Sequence, residues 1–361
     1  MTDFPPYRNA STQKPPKRII ELTQCSVATL LQHIYADTAV LWRGDFHQGK
    51  QLLAALKKRV RKPAKTGASP AETFHKHRLA QAQQSRFINM LLLEVGANYH
   101  IDLARAPDVQ AALNDVYGAS DDKAFLLPFN QLLAYVGAHE WHKRGVFIAA
   151  LGGNIHVPFG VFSPLRGEYL DLLMKARLPE NAQTAFDIGT GSGILAMLLA
   201  QRGIAHIIAT DTNPRAIACA RANVQNLNLN SQITVLEQDL LPAGQVDVIV
   251  CNPPWLPAKP SSDIETALYD PQHTMLKTLL QHAAAHLTVN GRLYLIMSDL
   301  AEHLGLRTPN ELEQYFAATN WQVESCYSTR PQHRKATDPN DNLAFARQKE
   351  QTHLYVLKAS S

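Results

Sequence analysis

A short apolar segment that runs directly into three closely spaced glycines restricts the possible folds more than any other part of the chain. Residues 184–188 (TAFDI) have the length and composition of a buried strand. Gly189, Gly191 and Gly193 follow, and the apolar run from Ile194 predicts a helix. Glycine allows positive φ angles and close approach to a ligand, and the first N–H groups of a helix attract polar or negative oxygens. The segment therefore predicts a strand–loop–helix unit with a ligand in its turn.

The sequence around this unit alternates between strands and helices. Six further strands are predicted, at residues 205–210, 232–237, 246–251, 292–298, 322–328 and 352–358. Because helices are predicted between most of them, the strands should run mostly in parallel, with helices on both faces of one sheet. The last two strands are joined by a polar insert, which favours an antiparallel edge. The expected fold is α/β, with a Rossmann-like, seven-stranded, mostly parallel sheet.

The front of the chain lacks this alternation. Residues 19–145 show helical periodicity and capping signals such as Ser69-Pro70-Ala71-Glu72, which predict a smaller all-helical domain for substrate recognition. Two apolar runs around a Gly-Gly-Asn turn predict a β-hairpin bridge at 146–162, before the second domain at 163–361. Residues 1–18 hold four prolines and no apolar core, so we expect a disordered tail and not a signal peptide.

Basic residues are concentrated at the front of the chain. Residues 1–100 contain 15 Lys and Arg against 6 Asp and Glu, although the net charge of the whole chain is only +4. The densest basic cluster is Lys57–Lys65. This cluster could contact phosphates, but we favour a solvated helix end whose cations suit the negative end of the helix dipole. The uneven charge is a weak indication of a polyanionic partner.

The cysteines and the hydropathy favour a cytoplasmic protein with no metal and no membrane partner. The cysteines lack the spacing of metal ligands or of a disulfide framework, so we expect four reduced thiols: Cys25, Cys219, Cys251 and Cys326. No apolar run approaches the roughly 18 residues of a membrane span.

Polar residues follow four of the predicted strands. Asp187 ends the first, Asp211 the second, Asp239-Leu240 the third and residues 252–255 (Asn-Pro-Pro-Trp) the fourth. In an open parallel sheet a ligand binds outside the carboxyl ends of the strands. Asp211 lies 18 residues after Gly193, at a distance where a carboxylate can accept both hydroxyls of a ribose. These strand ends predict a nucleoside-containing cofactor.

The motifs distinguish a dinucleotide from other nucleoside-containing cofactors. The fingerprint of a dinucleotide-binding loop would need glycine at position 194, which is Ile194, and the Asn-Pro-Pro-Trp run has no role in hydride transfer. The set resembles instead the class I S-adenosylmethionine-dependent methyltransferases. More narrowly, it resembles the Asn-Pro-Pro-aromatic subgroup with a methyltransferase small domain. That subgroup includes release-factor glutamine methyltransferases, adenine-N6 DNA and RNA methylases and guanine-N2 rRNA methylases.

The resemblance implies a division of roles among the strand ends. S-adenosylmethionine is expected to contact Asp187, Gly189, Thr190, Gly191, Gly193, Asp211, Asp239, Leu240 and Asn252. The expected catalytic residues are Asn252, Pro253 and Trp255. A planar NH₂ group is a poor nucleophile because its lone pair is delocalised. The carboxamide oxygen of Asn252 and the carbonyl of Pro253 can accept its two hydrogens, while Trp255 stacks on the planar group.

Four residues are predicted to bind the substrate: Arg166, Glu168, Pro254 and Tyr269. Glutamine methyltransferases carry a Pro-Arg-Pro-(Asp/Glu)-Thr-Glu run in the place of residues 163–168, and this chain keeps only the Arg and the Glu. An ion pair at a helix start accounts for these two residues equally well. His333-Arg334-Lys335, in the insert between the last two strands, is a further candidate on the rim of the site.

The sequence thus predicts a methyltransferase that acts on an amide or exocyclic amine nitrogen of a macromolecule. The basic front of the chain would suit an RNA or DNA base, whereas the domain plan would suit a glutamine of a ribosomal or translation-factor protein. The alternative is a non-catalytic, cofactor-binding module that associates with RNA or the ribosome.

Overall fold

The computed structural model consists of two compact units. The front unit comprises the residues up to Ala68 together with Glu72–Trp141, and the back unit comprises Ser69–Ala71 and the residues from His142 onward. Among the described helices, none has both the length and the apolar character that a membrane span needs. The residues that the structure describes are 4–61, 63–164, 167–331, 338 and 341–360.

The front unit contains a β-sheet, so the expectation of an all-helical domain is wrong. Its four strands, in spatial order, are β1 (Arg18–Leu22), β2 (Thr38–Trp42), β3 (Leu91–Val95) and β4 (Phe125–Pro128). The first three run parallel and β4 is antiparallel to β3. All five residues of β2 are buried. A strand that is buried on both faces loses its alternating pattern and reads as part of an apolar helix.

The first residues also differ from the expected disordered tail. The backbone N–H of Arg8 donates to the Leu126 carbonyl at 2.9 Å, and Leu126 donates in turn to Pro6 at 2.8 Å. The Arg8 guanidinium pairs with Asp121 at 3.0 Å and lies 4.3 Å from the centre of the Phe125 ring. Residues 6–8 are therefore tied to β4, and only residues 1–3 of the predicted tail lie outside the described part.

Five helices accompany this sheet, and side-chain caps fix where two of them begin. Ser26 accepts a hydrogen bond from the N–H of Thr29, and Asp45 accepts one from Gln48, which satisfies N–H groups that the first helical turn leaves open. The helices are α1 (Val27–Tyr35), α2 (Phe46–Val60), α3 (Pro70–Ile88), α4 (Gln110–Tyr117) and α5 (Phe129–Arg144).

The back unit contains the predicted seven-stranded sheet. Its spatial order is β12-β13-β11-β10-β7-β8-β9. Six of these strands point in the same direction, and β13 points in the opposite one. The strands are β7 (Thr184–Ile188), β8 (His206–Asp211), β9 (Ile233–Glu237), β10 (Val246–Cys251), β11 (Leu287–Ser298), β12 (Trp321–Thr329) and β13 (Thr352–Ala359). The described helices are α6 (Glu168–Lys175), α7 (Ile194–Gln201), α8 (Pro214–Asn226), α9 (Thr274–His282), α10 (Leu300–His303), α11 (Glu311–Ala318) and α12 (Ala344–Arg347).

A short hairpin precedes this sheet, as predicted, but it is smaller than the expected bridge of residues 146–162. Strand β5 (Val146–Ile148) pairs antiparallel with β6 (Gly153–Ile155). Single turns of 3₁₀-helix complete the secondary structure, at Ala97–Tyr99, Ala149–Leu151, Asp263–Ala267, Pro271–His273 and Ala283–His286.

Alternate residues of the central strands form two apolar layers, one on each face of the sheet. Val248, Val250 and Tyr294 belong to one layer, and Ile249 and Leu295 belong to the other. The chain leaves β7 toward β8 on one side, and β10 pairs with β7 on the other side. The carboxyl ends of β7 and β10 are therefore the topological switch point, where open α/β sheets bind their ligands.

Candidate active site

The switch point brings the glycine loop and the Asn-Pro-Pro-Trp run to adjacent strand ends. Ile188, the last residue of β7, lies directly beside Cys251, the last residue of β10. The glycine loop begins one residue after Ile188, and Asn252 follows Cys251. Two motifs that are about 60 residues apart in the sequence thus start at neighbouring backbone positions.

Asp187 is the most constrained acid of the site. It is fully buried, and its Oδ2 accepts hydrogen bonds from the Thr190 hydroxyl at 2.6 Å and from the Ala196 N–H at 3.0 Å. Its Oδ1 is buried and has no hydrogen-bond partner among the described residues. Burial raises the pKa of the Asp187 carboxyl to about 7, against the lowering effect of those two hydrogen bonds. A buried acceptor without a donor is a suitable contact for a polar or cationic ligand group.

The glycine loop has the positive φ angles that its glycines allow. The φ angles are +69° at Gly189, +55° at Gly191 and +85° at Gly193, in the region that side chains with a Cβ rarely adopt. A methyl group at Gly191 would meet no atom within 4 Å, so there is open space above the loop at this residue. Helix α7 begins immediately afterwards, at Ile194.

Asp211 connects the end of β8 to this loop. Its half-buried carboxylate accepts hydrogen bonds from the N–H groups of Gly191 and Asn213, both at 2.9 Å. Each oxygen keeps a second lone pair, so the carboxylate can still accept hydrogen bonds from a ligand.

Asp239 and Leu240 lie in the loop that follows β9. Asp239 is exposed, and the Leu240 backbone has a φ of +51°. The Leu240 carbonyl accepts a hydrogen bond from the Thr210 hydroxyl at 2.8 Å, which ties this loop to β8. The predicted cofactor-binding residues therefore lie at the carboxyl ends of β7 and β8 or on the loops that follow β7, β9 and β10.

At the end of β10, the Asn252 side chain is held by its own motif. The indole N–H of Trp255 donates a hydrogen bond to Asn252 Oδ1 at 2.9 Å. Since an indole nitrogen only donates, this contact determines which end of the carboxamide is the oxygen. The Trp255 ring packs against both apolar layers, Pro253 is buried and Pro254 is half-buried. The sequence indicated a stacking surface at Trp255 but not this hydrogen bond.

Trp255 also lines a small cleft. The other lining residues are Glu168, Tyr169, Pro331, Glu350 and Thr352. Glu350 is 1% exposed and accepts a hydrogen bond from the Ser298 hydroxyl at 2.9 Å. Sequence analysis did not identify Glu350, because it lies in a polar insert that shows no periodicity.

Of the remaining predicted substrate contacts, the structure describes Tyr269 but not Arg166 or residues 333–335. Tyr269 lies opposite Leu256, in the loop that follows the Asn-Pro-Pro-Trp run, and among the described residues it does not line the Trp255 cleft. The next residue, Asp270, is buried and accepts the N–H groups of Met275 and Leu276, both at 3.1 Å, at the start of α9. Arg166 and residues 333–335 lie outside the described residues.

Comparison with known proteins assigns the segment that contains these loops. Residues 153–325 match the family described as methyltransferase small domain. The match covers 173 residues, just under half of the chain. The subgroup resemblance inferred from the motifs is therefore confirmed, and the matched segment of the methyltransferase small domain runs from β6 into β12.

The relatives that this chain matches include two kinds of named enzyme. The release factor glutamine methyltransferase of Mycolicibacterium smegmatis is 40% identical over 162 residues, which are 43% of this chain and 57% of the relative. That of Cereibacter sphaeroides is 35% identical over 137 residues, 34% of this chain and 49% of the relative. A tRNA1(Val) (adenine(37)-N6)-methyltransferase of Cytophaga hutchinsonii is 33% identical over 147 residues, 37% and 62%. The chain spans about half the length of the curated relatives it matches.

A cluster of polar side chains lies at the carboxyl end of β11. His353 Nδ1 is 2.7 Å from the Ser328 hydroxyl, and its Nε2 is 3.8 Å from Asp299 Oδ2. The Asp299 carboxylate, with a smaller contribution from Cys326, raises the pKa of His353 to about 9. The imidazole is therefore a cation at neutral pH, and it joins β13 to the end of β11.

Proposed function

We propose that this chain transfers a methyl group from S-adenosylmethionine to a planar amide or exocyclic amine nitrogen of a macromolecule. The observation that carries this proposal is the fixed Asn252 carboxamide at the switch point, next to the glycine loop and to Asp187, a buried acid with one oxygen that lacks a hydrogen-bond partner among the described residues. The names of the relatives support it, because a glutamine amide and an adenine amine are both planar NH₂ groups.

The residues of the switch point fit S-adenosylmethionine. The unpaired Oδ1 of Asp187 can accept a donor, and the space above Gly191 leaves room for a ligand against the backbone. The Asp211 carboxylate is suited to ribose hydroxyls, and Asp239 with Leu240 to an adenine edge and face. When bound, this cofactor supplies a methyl group on a sulfonium, which is already activated for attack.

Asn252, Pro253 and Trp255 would act on the acceptor nitrogen. The Asn252 Oδ1 accepts one hydrogen from Trp255 and has a second lone pair for the acceptor NH₂. The Pro253 carbonyl would accept the other hydrogen of that group. Both acceptors then stabilise positive charge as the nitrogen forms its new bond, and water takes the surplus proton. Removal of one such preorganised contact lowers turnover about 10²–10³-fold in other enzymes.

The front unit would recognise the rest of the substrate, and the protein would work in the cytoplasm. The four cysteines lie in the described part of the chain and none forms a disulfide, which supports a reducing compartment. The alternative, a cofactor-binding module without turnover, is less well supported because each motif position keeps a residue that can perform the chemistry.

The test is transfer of labelled methyl from S-adenosylmethionine into an extract of cells that lack the protein, followed by nuclease or protease digestion. The Asn252→Ala variant is expected to keep its cofactor affinity and to lose at least 100-fold in turnover. Asn226→Ala, an exposed asparagine at the end of α8, is the matched control and should behave as the wild type. Full turnover of Asn252→Ala would refute the proposed role of the carboxamide.

A further inference from the structure

One side of α2 carries only basic and neutral residues. At 100° per residue, Lys50, Lys57, Lys58 and Arg61 fall within an arc of about 100° around the helix axis, with Arg61 just after the last turn. All four are exposed. The opposite side is buried in the front unit through Leu52, Leu53, Leu56 and Val60. We call the four exposed cations the basic face.

The front unit pairs four of its other arginines with carboxylates but not these cations. None of the four forms an ion pair within the described part of the chain, and α2 itself contains no Asp or Glu. By contrast, four arginines elsewhere in the unit each contact a carboxylate at 2.6–3.0 Å: Arg8 with Asp121, Arg43 with Glu94, Arg86 with Asp37 and Arg105 with Asp45. The four cations of the basic face are thus left without an ion pair on one side of α2.

The helix dipole accounts for only part of this arrangement. Its favourable effect on cations is confined to the last turn, which contains Lys57 and Lys58. Lys50 lies two turns earlier. Lys57 and Arg61 are also four residues apart, a spacing at which like charges destabilise a helix slightly. The solvated helix end that the sequence favoured therefore does not explain the whole basic face.

We infer that the basic face is a docking surface for the phosphate backbone of a nucleic acid. From Lys50 to Arg61 the face extends about 16 Å along the helix, at 1.5 Å per residue. Phosphates of one strand recur every 3.4 Å or so along a duplex axis, so the face can reach four or five of them. The inference rests on the proposed function in one respect: the nucleic acid bound here would carry the acceptor amine.

The experiment measures binding without S-adenosylmethionine, so that it does not depend on turnover. The probe is a fluorescein-labelled 24-nucleotide RNA hairpin, titrated with the full chain at several salt concentrations from 50 to 200 mM. The variant carries Lys50→Gln, Lys57→Gln and Lys58→Gln. The control variant carries Lys14→Gln, Lys17→Gln and Lys123→Gln, three exposed lysines of the same unit with the same change in net charge.

We expect the basic-face variant to bind the hairpin at least tenfold more weakly at 50 mM salt. Its slope of log K against log salt should be smaller by about 2–3, because each lost phosphate contact removes 0.7–0.9 from it. The control variant should keep the slope of the wild type. An unchanged slope in the basic-face variant, or an equal loss in both variants, would overturn the inference.

Two further probes identify the polyanion. Polyglutamate and vesicles of phosphatidylserine are also polyanionic. Neither has the regularly spaced phosphodiester backbone of a nucleic acid. Equal, basic-face-dependent binding of either probe would contradict a nucleic-acid surface and indicate a general anion site. Failure of methyl transfer with RNA binding intact would refute the proposed function and leave the docking surface standing.

Discussion

The buried carboxylate of Asp187 should make the folded chain less stable as the pH rises. An unperturbed aspartate has a pKa near 4, and burial raises that of Asp187 to about 7. Between these two values the folded state holds a proton that the unfolded state has released. The stabilising contribution is therefore complete below about pH 4 and is lost as the pH rises to 7.

The size of the effect follows from the shift. About three pKa units, at about 1.4 kcal/mol each, correspond to at most about 4 kcal/mol of unfolding free energy. Asp187→Asn removes the titration and keeps the shape of the side chain. Relative to the wild type, this variant should gain about 2–4 kcal/mol between pH 4.5 and pH 8. Its affinity for S-adenosylmethionine should fall. The carboxylate charge that destabilises the ligand-free protein would accept a hydrogen bond from the bound cofactor, and asparagine lacks that charge.

The assay is urea unfolding of the ligand-free chain at pH 4.5, 6 and 8, followed by tryptophan fluorescence. Asp247→Asn is the control with the opposite sign. Burial acts to raise the pKa of Asp247, but hydrogen bonds from Gln183, Thr184 and Thr288 together hold it below the usual value. Its stabilising contribution is present above the ordinary aspartate pKa near 4 and is lost only below it, so the difference between that variant and the wild type should stay nearly constant from pH 4.5 to pH 8. Parallel pH profiles for the wild type and Asp187→Asn would refute the reasoning about the buried acid.

Two further outcomes are expected in the back unit. Trp255→Phe keeps an aromatic ring but removes the N–H that orients Asn252, so turnover should fall about tenfold with unchanged cofactor affinity. In an Asn252→Asp background both side-chain oxygens accept, so Trp255→Phe should then cost less than threefold; an equal cost in both backgrounds would contradict the orienting role. His353→Gln removes an imidazolium cation whose pKa is raised to about 9 by Asp299. The stabilisation that this cation provides is complete below pH 6.5 and is lost as the pH rises through 9. Because the side chain is 19% exposed, the variant should lose about 1–2 kcal/mol at pH 6 and match the wild type above pH 9.5 in thermal unfolding; a difference that does not change with pH would argue against the ion pair.

The sequence predicted the back unit well because its signals are local. The glycines after β7 allow the positive φ angles of the loop. Polar residues stand at or just after the carboxyl ends of β7, β8, β9 and β10. These two facts place the ligand site at the carboxyl ends of the strands without any knowledge of strand order. The position of Asn252 beside the glycine loop then follows from the pairing of β10 with β7.

The front sheet and the details of the cleft could not be predicted in the same way. In β2 and β3 nearly every side chain is buried, so the residues show neither the alternation of a strand nor the stripe of a surface helix. Glu350 reaches the cleft through the tertiary pairing of β13, which no short-range pattern encodes. The Trp255–Asn252 hydrogen bond depends on the exact path of a proline-rich turn.

The position of β13 has a consequence for synthesis on the ribosome. β13 is made after β12 but lies between β11 and β12 in the sheet. While the chain is emerging, β11 therefore keeps one edge open, and β12 has no neighbour to pair with until β13 is available. Open strand edges invite pairing with other chains. The nascent chain is thus more exposed to aggregation until β13 has been made, and the cleft beside Trp255, which needs Glu350 and Thr352, cannot form before then.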